Sequence, residues 1–312
     1  MKICFIGLGS IGMRHMRNLS RLLKEQGITY SIDALRSSHK ALEGEAQALI
    51  CSEYYSYEEL PNGYDIIFIT NPTYLHYDAI DKVRGKTKHL FIEKPVFESC
   101  AYDIEQWKCE QKGIYYVACP LRYSPVINYL KSEINAEKVY SVRVISSSYL
   151  PEWRKGVDYR KIYSSKKELG GGVTLDLIHE WDYITYLFGM PMQVYNISGK
   201  YSDLEISSDD VSIYIAKYED KVIELHLDYF GRVPIRKVEL FCKDCVIDAD
   251  LLGSTIQYKG CLQKTVQFAK EDMYLNEMNY FLSMVLCGAK NENDIGHAYK
   301  VLGIATGKFE QK

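Results

Sequence analysis

The sequence predicts an α/β protein: an N-terminal Rossmann domain with a doubly wound parallel sheet, then a C-terminal α/β domain on a large, mostly antiparallel sheet. Three observations predict it. An apolar run, Lys2-Ile-Cys-Phe-Ile6, delivers directly into Gly7-Leu-Gly9-Ser10-Ile11-Gly12 and a helical pattern. Strand-like and helix-like segments then alternate as far as Ala118, as βαβ units do. After Cys119-Pro120 the texture changes to longer strand-like stretches separated by polar turns, the composition of an antiparallel sheet.

Each element of the first half places a candidate residue. Gly7 permits a tight turn and Gly9 the approach of a pyrophosphate to backbone N–H groups, including those of Ser10 and Ile11. Gly12 lets the helix over Met13–Gln26 pack closely on the strand. The next strand, Thr29–Leu35, ends in Leu35-Arg36-Ser37-Ser38-His39-Lys40 with no carboxylate at its tip, since Asp33 lies inside the run. Arg36, Ser37 and Ser38 suit a ribose 2′-phosphate, so NADP(H) is favoured and NAD(H) stays open; the alternative is that Arg36 and Lys40 are solvated surface charges. A buried strand over Tyr64–Thr70 runs into Asn71-Pro72-Thr73 and a helix carrying His76. Another, Lys88–Ile92, runs into Glu93-Lys94-Pro95, followed by a helix over Ser99–Gln111 and a strand over Gly113–Ala118. Ligands of a doubly wound sheet lie outside the carboxyl ends of its strands, which is where Asn71, Pro72, His76, Glu93 and Lys94 fall. They are read as cofactor-binding, and Lys94 stands where a bound redox cofactor would expose its reactive ring.

The domain boundary is placed near residue 120, giving a dinucleotide-binding domain over 1–120 and a substrate-binding and oligomerisation domain over 121–312. Strands are expected at Val139–Ser147, Val194–Gly199, Val211–Tyr218 and Val222–Tyr229, and closing helices at Glu271–Leu286 and Asp294–Phe309. Cys242-x-x-Cys245 has no second pair at metal-ligand spacing and reads as a hairpin turn, so no metal is expected. One helix, from Gly170-Gly-Gly to Gly189, carries Asp176, His179 and Asp182 at i, i+3, i+6. A carboxylate one turn from an imidazole can orient it for proton transfer, which makes Asp176 and His179 catalytic candidates; Asp182 reads as packing. Residues 149–164 offer Trp153, Tyr159 and Tyr163 as flat faces for a sugar ring. Arg122, Arg154 and Arg160 are candidates for holding an anionic group on it. A surface loop or an oligomer contact is the bland alternative.

Composition excludes several classes. With 312 residues and 47% hydrophobic content the chain can bury about two domain cores. A net charge of −3 argues against nucleic acid or a membrane surface as partner. No run of about 18 apolar residues could span a bilayer, and the first apolar run is already a strand rather than a secretion signal. Nine cysteines at irregular spacings read as reduced thiols, so a cytoplasmic location is expected.

Taken together, Gly7-Leu-Gly-Ser-Ile-Gly12 with His15, Asn71-Pro72 with His76, Glu93-Lys94-Pro95, Arg122-Tyr123 and the Gly170-Gly-Gly helix resemble the glucose-fructose oxidoreductase and inositol dehydrogenase family (Gfo/Idh/MocA). The resemblance covers essentially the whole chain. It implies NAD(P)-dependent oxidation or reduction of a sugar hydroxyl or carbonyl, with Lys94, Asp176 and His179 brought together. Many members space that aspartate and histidine four residues apart, whereas Asp176 and His179 are three apart, so either side chain is open to displacement. The Asp176-Leu-Ile-His-Glu-Trp-Asp182 pattern looks most like a subgroup associated with bacterial surface-sugar biosynthesis, including nonulosonic acids. His179 is then the candidate acid-base group, Lys94 the stabiliser of charge on the reacting oxygen and Asp176 the orienting group, with Lys94 and His179 able to exchange roles. A sugar or sugar nucleotide, anionic by the arginines above, is the expected substrate, and a homodimer or homotetramer the expected assembly. Two other classes remain open: a redox-assisted hydrolase or eliminase with tightly bound NAD, and a non-catalytic dinucleotide sensor.

Overall fold

The computed structural model describes residues 1–105, 107, 113–133, 139–260 and 263–309. In chain order its strands are β1 (Lys2–Ile6), β2 (Ser31–Leu35), β3 (Ile50–Tyr54), β4 (Tyr64–Ile69), β5 (Thr87–Ile92), β6 (Tyr115–Val117), β7 (Val139–Tyr149), β8 (Gln193–Gly199), β9 (Val211–Lys217), β10 (Val222–Asp228), β11 (Phe230–Cys242), β12 (Cys245–Asp250), β13 (Thr255–Gly260) and β14 (Lys264–Gln267). The described helices are α1 (Ser10–Glu25), α2 (Gly44–Leu49), α3 (His76–Val83), α4 (Pro125–Glu133), α5 (Val173–Asp176), α6 (His179–Phe188), α7 (Met273–Cys287) and α8 (Ile295–Ala305). Two compact units divide the chain, Met1–Cys119 with Tyr274–Tyr299, and Pro120–Met273 with Lys300–Lys312. Residues 274–299, assigned to the second domain from sequence, are therefore part of the first unit.

In the first unit six strands form one parallel sheet in the order β3-β2-β1-β4-β5-β6. The order reverses between β1 and β4, which creates the crevice at the carboxyl ends where such sheets bind ligands. Strands β1, β4 and β5 are apolar runs because both faces of a parallel sheet are covered; Ile3–Phe5, Ile66–Ile69 and Leu90–Ile92 are fully buried. Phe5 stacks on Phe68 at 4.3 Å, and Phe281 of α7 meets Phe91 edge-on at 5.1 Å. Buried Glu277 of α7 binds this helix to the end of β6, accepting from Tyr116 Oη at 2.9 Å and from the Cys119 N–H at 2.5 Å. Helix α1 starts at Ser10 rather than Met13, because Gly9 is its N-cap. Of the helix expected over Ser99–Gln111, residues 99–104 are not helical, and residues 106 and 108–111 lie outside the described residues.

In the second unit eight strands lie in the order β14-β13-β12-β11-β7-β10-β9-β8, antiparallel throughout except for the parallel pair β7 and β10. Alternation along each strand buries Val142, Val144, Tyr214, Ala216, Ile223, Leu225, Val238 and Leu240 on one face. Lys243 and Asp244 turn β11 into β12, with Phe241 opposite Val246, so Cys242 and Cys245 flank a hairpin turn as expected from their spacing. The segment 150–169 is a chain of four short 3-10 turns. The single helix read over Gly170–Gly189 is two. Leu177, at φ −99° and ψ 20°, interrupts it, so α5 ends on Asp176 and α6 begins at His179. Among the described residues no helix is long and apolar enough to cross a membrane.

Candidate active site

At the carboxyl edge of the first sheet the glycine turn is held in place by its neighbours. Gly7 has φ +92°, and a Cβ there would stand 2.8 Å from the backbone of Asn71; at Gly12 it would stand 2.6 Å from the Gly7 carbonyl oxygen. Thr70 Oγ1 donates to that carbonyl at 2.6 Å and pins the turn to β4. Gly9, by contrast, has open space where a Cβ would be. No side chain caps α1 and no acidic residue stands in its first turn. The N–H groups of Ser10 and Ile11 therefore belong to a helix N-terminus with room and positive potential for an anion. Beside it, Asn71 Oδ1 is buried with no hydrogen-bond partner among the described residues, a group that a ligand N–H or O–H would satisfy. The cradle, the uncapped N-terminus and the orphaned amide oxygen fit a dinucleotide.

The other sequence-predicted cofactor residues divide between scaffold and edge. His76 is buried, with Nδ1 3.1 Å from the Val96 carbonyl oxygen and Nε2 3.0 Å from that of Asn71, so it ties the loops after β4 and β5 together. Burial lowers its pKa, although the two carbonyls pull the other way. Glu93 turns inward rather than toward a ligand: its carboxylate meets the buried His15 and also accepts the Lys94 N–H at 3.2 Å. Burial alone would raise Glu93, but the hydrogen bond and charge of His15, with Lys94 and His76, hold it below the usual carboxylate range. Lys94 is half-buried at the end of β5, and its peptide bond to Pro95 is cis. Pro72 precedes the short 3-10 turn leading into α3. Arg36 does not stand alone. It pairs with Glu53 at the end of β3, and its Nη2 donates to the Lys40 carbonyl at 2.7 Å. Sequence reading missed this carboxylate because β3, with its exposed centre, carries no apolar signature. Ser37 and Ser38 are exposed beside this pair.

In the second unit the start of α5 is fixed by Asp209, which accepts from Thr174 N at 2.9 Å and Thr174 Oγ1 at 2.7 Å. Asp176, at the far end of that turn, is buried and accepts a 2.5 Å hydrogen bond from Tyr229 Oη. Tyr163 faces the same carboxylate, and the Tyr163 and Tyr229 pKa values are both raised, by burial first and by Asp176 second. Trp153 stands edge-on to Tyr229 at 5.1 Å and donates to Ser148 Oγ. His179 belongs to a different cluster: its Nε2 is 2.8 Å from Arg236 Nη2 on β11 and 3.3 Å from Glu180 Oε1. Glu180 is fully buried and ion-paired with Arg236 Nε at 2.8 Å. Burial opposes its ionisation, but the charge of Arg236 overcomes this and holds the carboxyl at about 2.

Two of the three candidate substrate arginines have other commitments. Arg122 is buried and forked onto Asp182 through Nε and Nη2, both at 2.8 Å, which makes the pair an internal brace. Arg160 is shared between Asp158 and Glu205. Arg154 is exposed near Tyr163, and Tyr159 Oη accepts from the Glu205 N–H at 3.2 Å. Tyr229, Glu180 and Arg236 escaped sequence reading. Only Glu180, adjacent to His179, carried a local signal; the other two reach α5 and α6 through the sheet.

Residues 1–113 match the profile of an oxidoreductase family with an NAD-binding Rossmann fold, GFO_IDH_MocA. The match covers the dinucleotide-binding part of the chain, 113 of its 312 residues. Among its relatives is the uncharacterized oxidoreductase YrbE of Bacillus subtilis (strain 168), 28% identical over 189 residues, 59% of this chain and 52% of that protein. The 2,7-anhydro-N-acetylneuraminate hydratase of Escherichia coli (strain K12) is 26% identical over 167 residues, 50% of this chain and 43% of that one. The matched stretch thus spans about half the length of these two relatives. Among solved structures, UDP-N-acetylglucosamine 3-dehydrogenase GnnA from Acidithiobacillus ferrooxidans superposes with a TM-score of 0.76 at 20% identity, covering 99% of this chain and 96% of that one. That likeness is one of fold and extends over nearly the whole chain.

Proposed function

We propose that this protein is a nicotinamide-dependent oxidoreductase of the Gfo/Idh/MocA type, acting on a hydroxyl or carbonyl carbon of a sugar-like substrate. The observation that carries the reading is the uncapped N-terminus of α1 beside the orphaned Asn71 Oδ1. Gly7, Gly9, Ser10, Ile11, Gly12, Asn71 and Pro72 would hold the cofactor, and Arg36, Ser37 and Ser38 would contact its ribose, with His76 and Glu93 holding the edge in shape. A bound nicotinamide supplies hydride chemistry. Lys94 donates a hydrogen bond to the reacting oxygen and stabilises negative charge on it. Asp176, held in place by Tyr229 and Tyr163, orients the substrate, and His179 contributes a further polar contact. Trp153 and Tyr163 offer flat faces to a sugar ring and the exposed Arg154 a cation to an acidic group on it, so an anionic sugar or sugar nucleotide suits the surface best.

A first test titrates the protein with NAD, NADH, NADP and NADPH by thermal shift, since a ligand that binds only the folded state raises its stability. Binding of at least one is expected, and Lys94→Ala is expected to keep that binding while lowering turnover of an identified sugar roughly 10²-fold or more. Turnover within a few-fold of wild type would remove Lys94 from the chemistry. A second reading, redox-assisted addition or elimination with a retained cofactor, draws support from the similarity to the neuraminate-derivative hydratase. It predicts nicotinamide carried through gel filtration and product formed with no net change in NAD(P)H.

A further inference from the structure

We infer that Arg236 and Glu180 are positioning residues that hold His179 as the neutral tautomer with its proton on Nδ1, so that His179 is a hydrogen-bond donor rather than the reaction's proton carrier. Arg236 Nη2 lies 2.8 Å from His179 Nε2. A guanidinium has five donors and no acceptor, and it does not lose its proton in proteins. Nε2 must therefore present its lone pair, because a proton there would set two donors against each other at hydrogen-bond distance. The same contact disfavours the imidazolium, whose two nitrogens both carry protons. A neutral ring that accepts through Nε2 keeps its hydrogen on Nδ1.

Glu180 makes this arrangement durable. Its carboxylate is fully buried beside Arg236 Nε, so Arg236 cannot swing out into solvent without stranding a buried charge. Glu180 Oε1 is also 3.3 Å from His179 Nε2 and, alone, would favour a proton there. The guanidinium decides the competition, since it is nearer to Nε2 and has nothing else to offer that nitrogen. Tyr183, buried beside Glu180, adds a neutral phenol to the cluster; burial first and the Glu180 charge second raise its pKa. The chemical consequence bears on the proposed function and rests on it: the proton accompanying hydride transfer passes through Lys94 rather than through His179.

The test needs no substrate. Protein labelled with ¹³C and ¹⁵N at its seven histidines would be compared with His179→Gln to assign the His179 ring. At neutral pH its Nε2 is expected to give a pyridine-type and its Nδ1 a pyrrole-type ¹⁵N shift. A pyrrole-type Nε2, or a doubly protonated ring, would overturn the inference on the wild-type spectrum alone. Removing both charges together with Arg236→Gln and Glu180→Gln should move the ring toward the Nε2–H form. Arg236→Gln alone, which leaves Glu180 to draw the proton to Nε2, should move it in the same direction, which keeps the test open should the double variant fail to fold. An unchanged tautomer in the folded variants would show that Arg236 is not its cause. Binding of NADH and NADPH measured on the same samples separates this inference from the proposed function: neither bound with an Nδ1–H spectrum defeats the function alone, and either bound with an Nε2–H spectrum defeats the inference alone.

Discussion

Arg36 and Glu53 close the ends of β2 and β3 with an ion pair, and that pair sets the expected cofactor discrimination. A free arginine after β2 is a 2′-phosphate site, whereas one already neutralised by a carboxylate must give up part of that interaction to bind phosphate. Glu53 is itself an acceptor that a ribose hydroxyl could use, so the pair tempers the preference for NADP(H) that Arg36, Ser37 and Ser38 suggest on their own. Glu53→Gln is accordingly expected to raise affinity for NADPH relative to NADH by about tenfold, a difference of about 1.4 kcal/mol. Fluorescence titration of wild type and variant with both cofactors measures it, and an unchanged ratio would show that Arg36 does not reach the ribose. The sequence made Arg36 visible and Glu53 invisible, because strand pairing joins residues that no local spacing connects. The positions of Lys94, just past β5, and Asp176, one turn after Gly170-Gly-Gly, were legible for the opposite reason. Each lies at the end of an apolar or glycine-led run whose geometry is local.

At the scale of elements, β1, the glycine turn and α1 could be read directly, since one short stretch of chain contains the strand period, the turn and the helix period. The glycine-led helix could not, because its apolar residues continue through Leu177 and Ile178 while the backbone breaks there, and the break separates Asp176 from His179. Residues 274–299 were misassigned because the buried Glu277 that ties α7 to β6 is remote in sequence from Tyr116 and Cys119. The loops after β4 and β5 owe their junction to His76, and this junction has a pH dependence with a definite sign. Burial holds His76 below its ordinary 6.5. As pH falls through 6.5 the unfolded chain takes up a proton that the native ring resists, so stability declines on acidification. Glu93, held below its ordinary 4.5, adds stability that is present above that value and is lost as pH falls through its folded pKa. Urea unfolding followed between pH 6.5 and pH 4.5 should show wild type losing stability faster than His76→Gln. Parallel pH profiles would mean that the native ring charges as readily as the unfolded one.

At the scale of the whole molecule, the open face of the eight-stranded sheet is the surface still to be accounted for. Along β8 and β9, Tyr195 stands opposite Ile215 and Ile197 opposite Ile213, and all four are exposed. Next to this apolar ladder, Glu224 pairs in register with Arg143 and Arg143 with Glu239, a row in which both signs alternate across three strands. A contiguous apolar patch flanked by a row of mixed charge is self-complementary about a two-fold axis, where each copy's apolar ladder covers the other's and acidic residues can face arginine. A second copy of this chain is therefore the expected occupant, and the protein is expected to be a homodimer or larger even-numbered assembly at micromolar concentration. Light scattering coupled to gel filtration measures the mass directly. Ile197→Lys with Ile213→Lys places two like charges opposite each other on that face and should reduce the assembly to a smaller species, with nicotinamide binding by the first unit unchanged. A wild type that is already monomeric, or a variant whose mass does not fall, would show that this face is not the subunit interface.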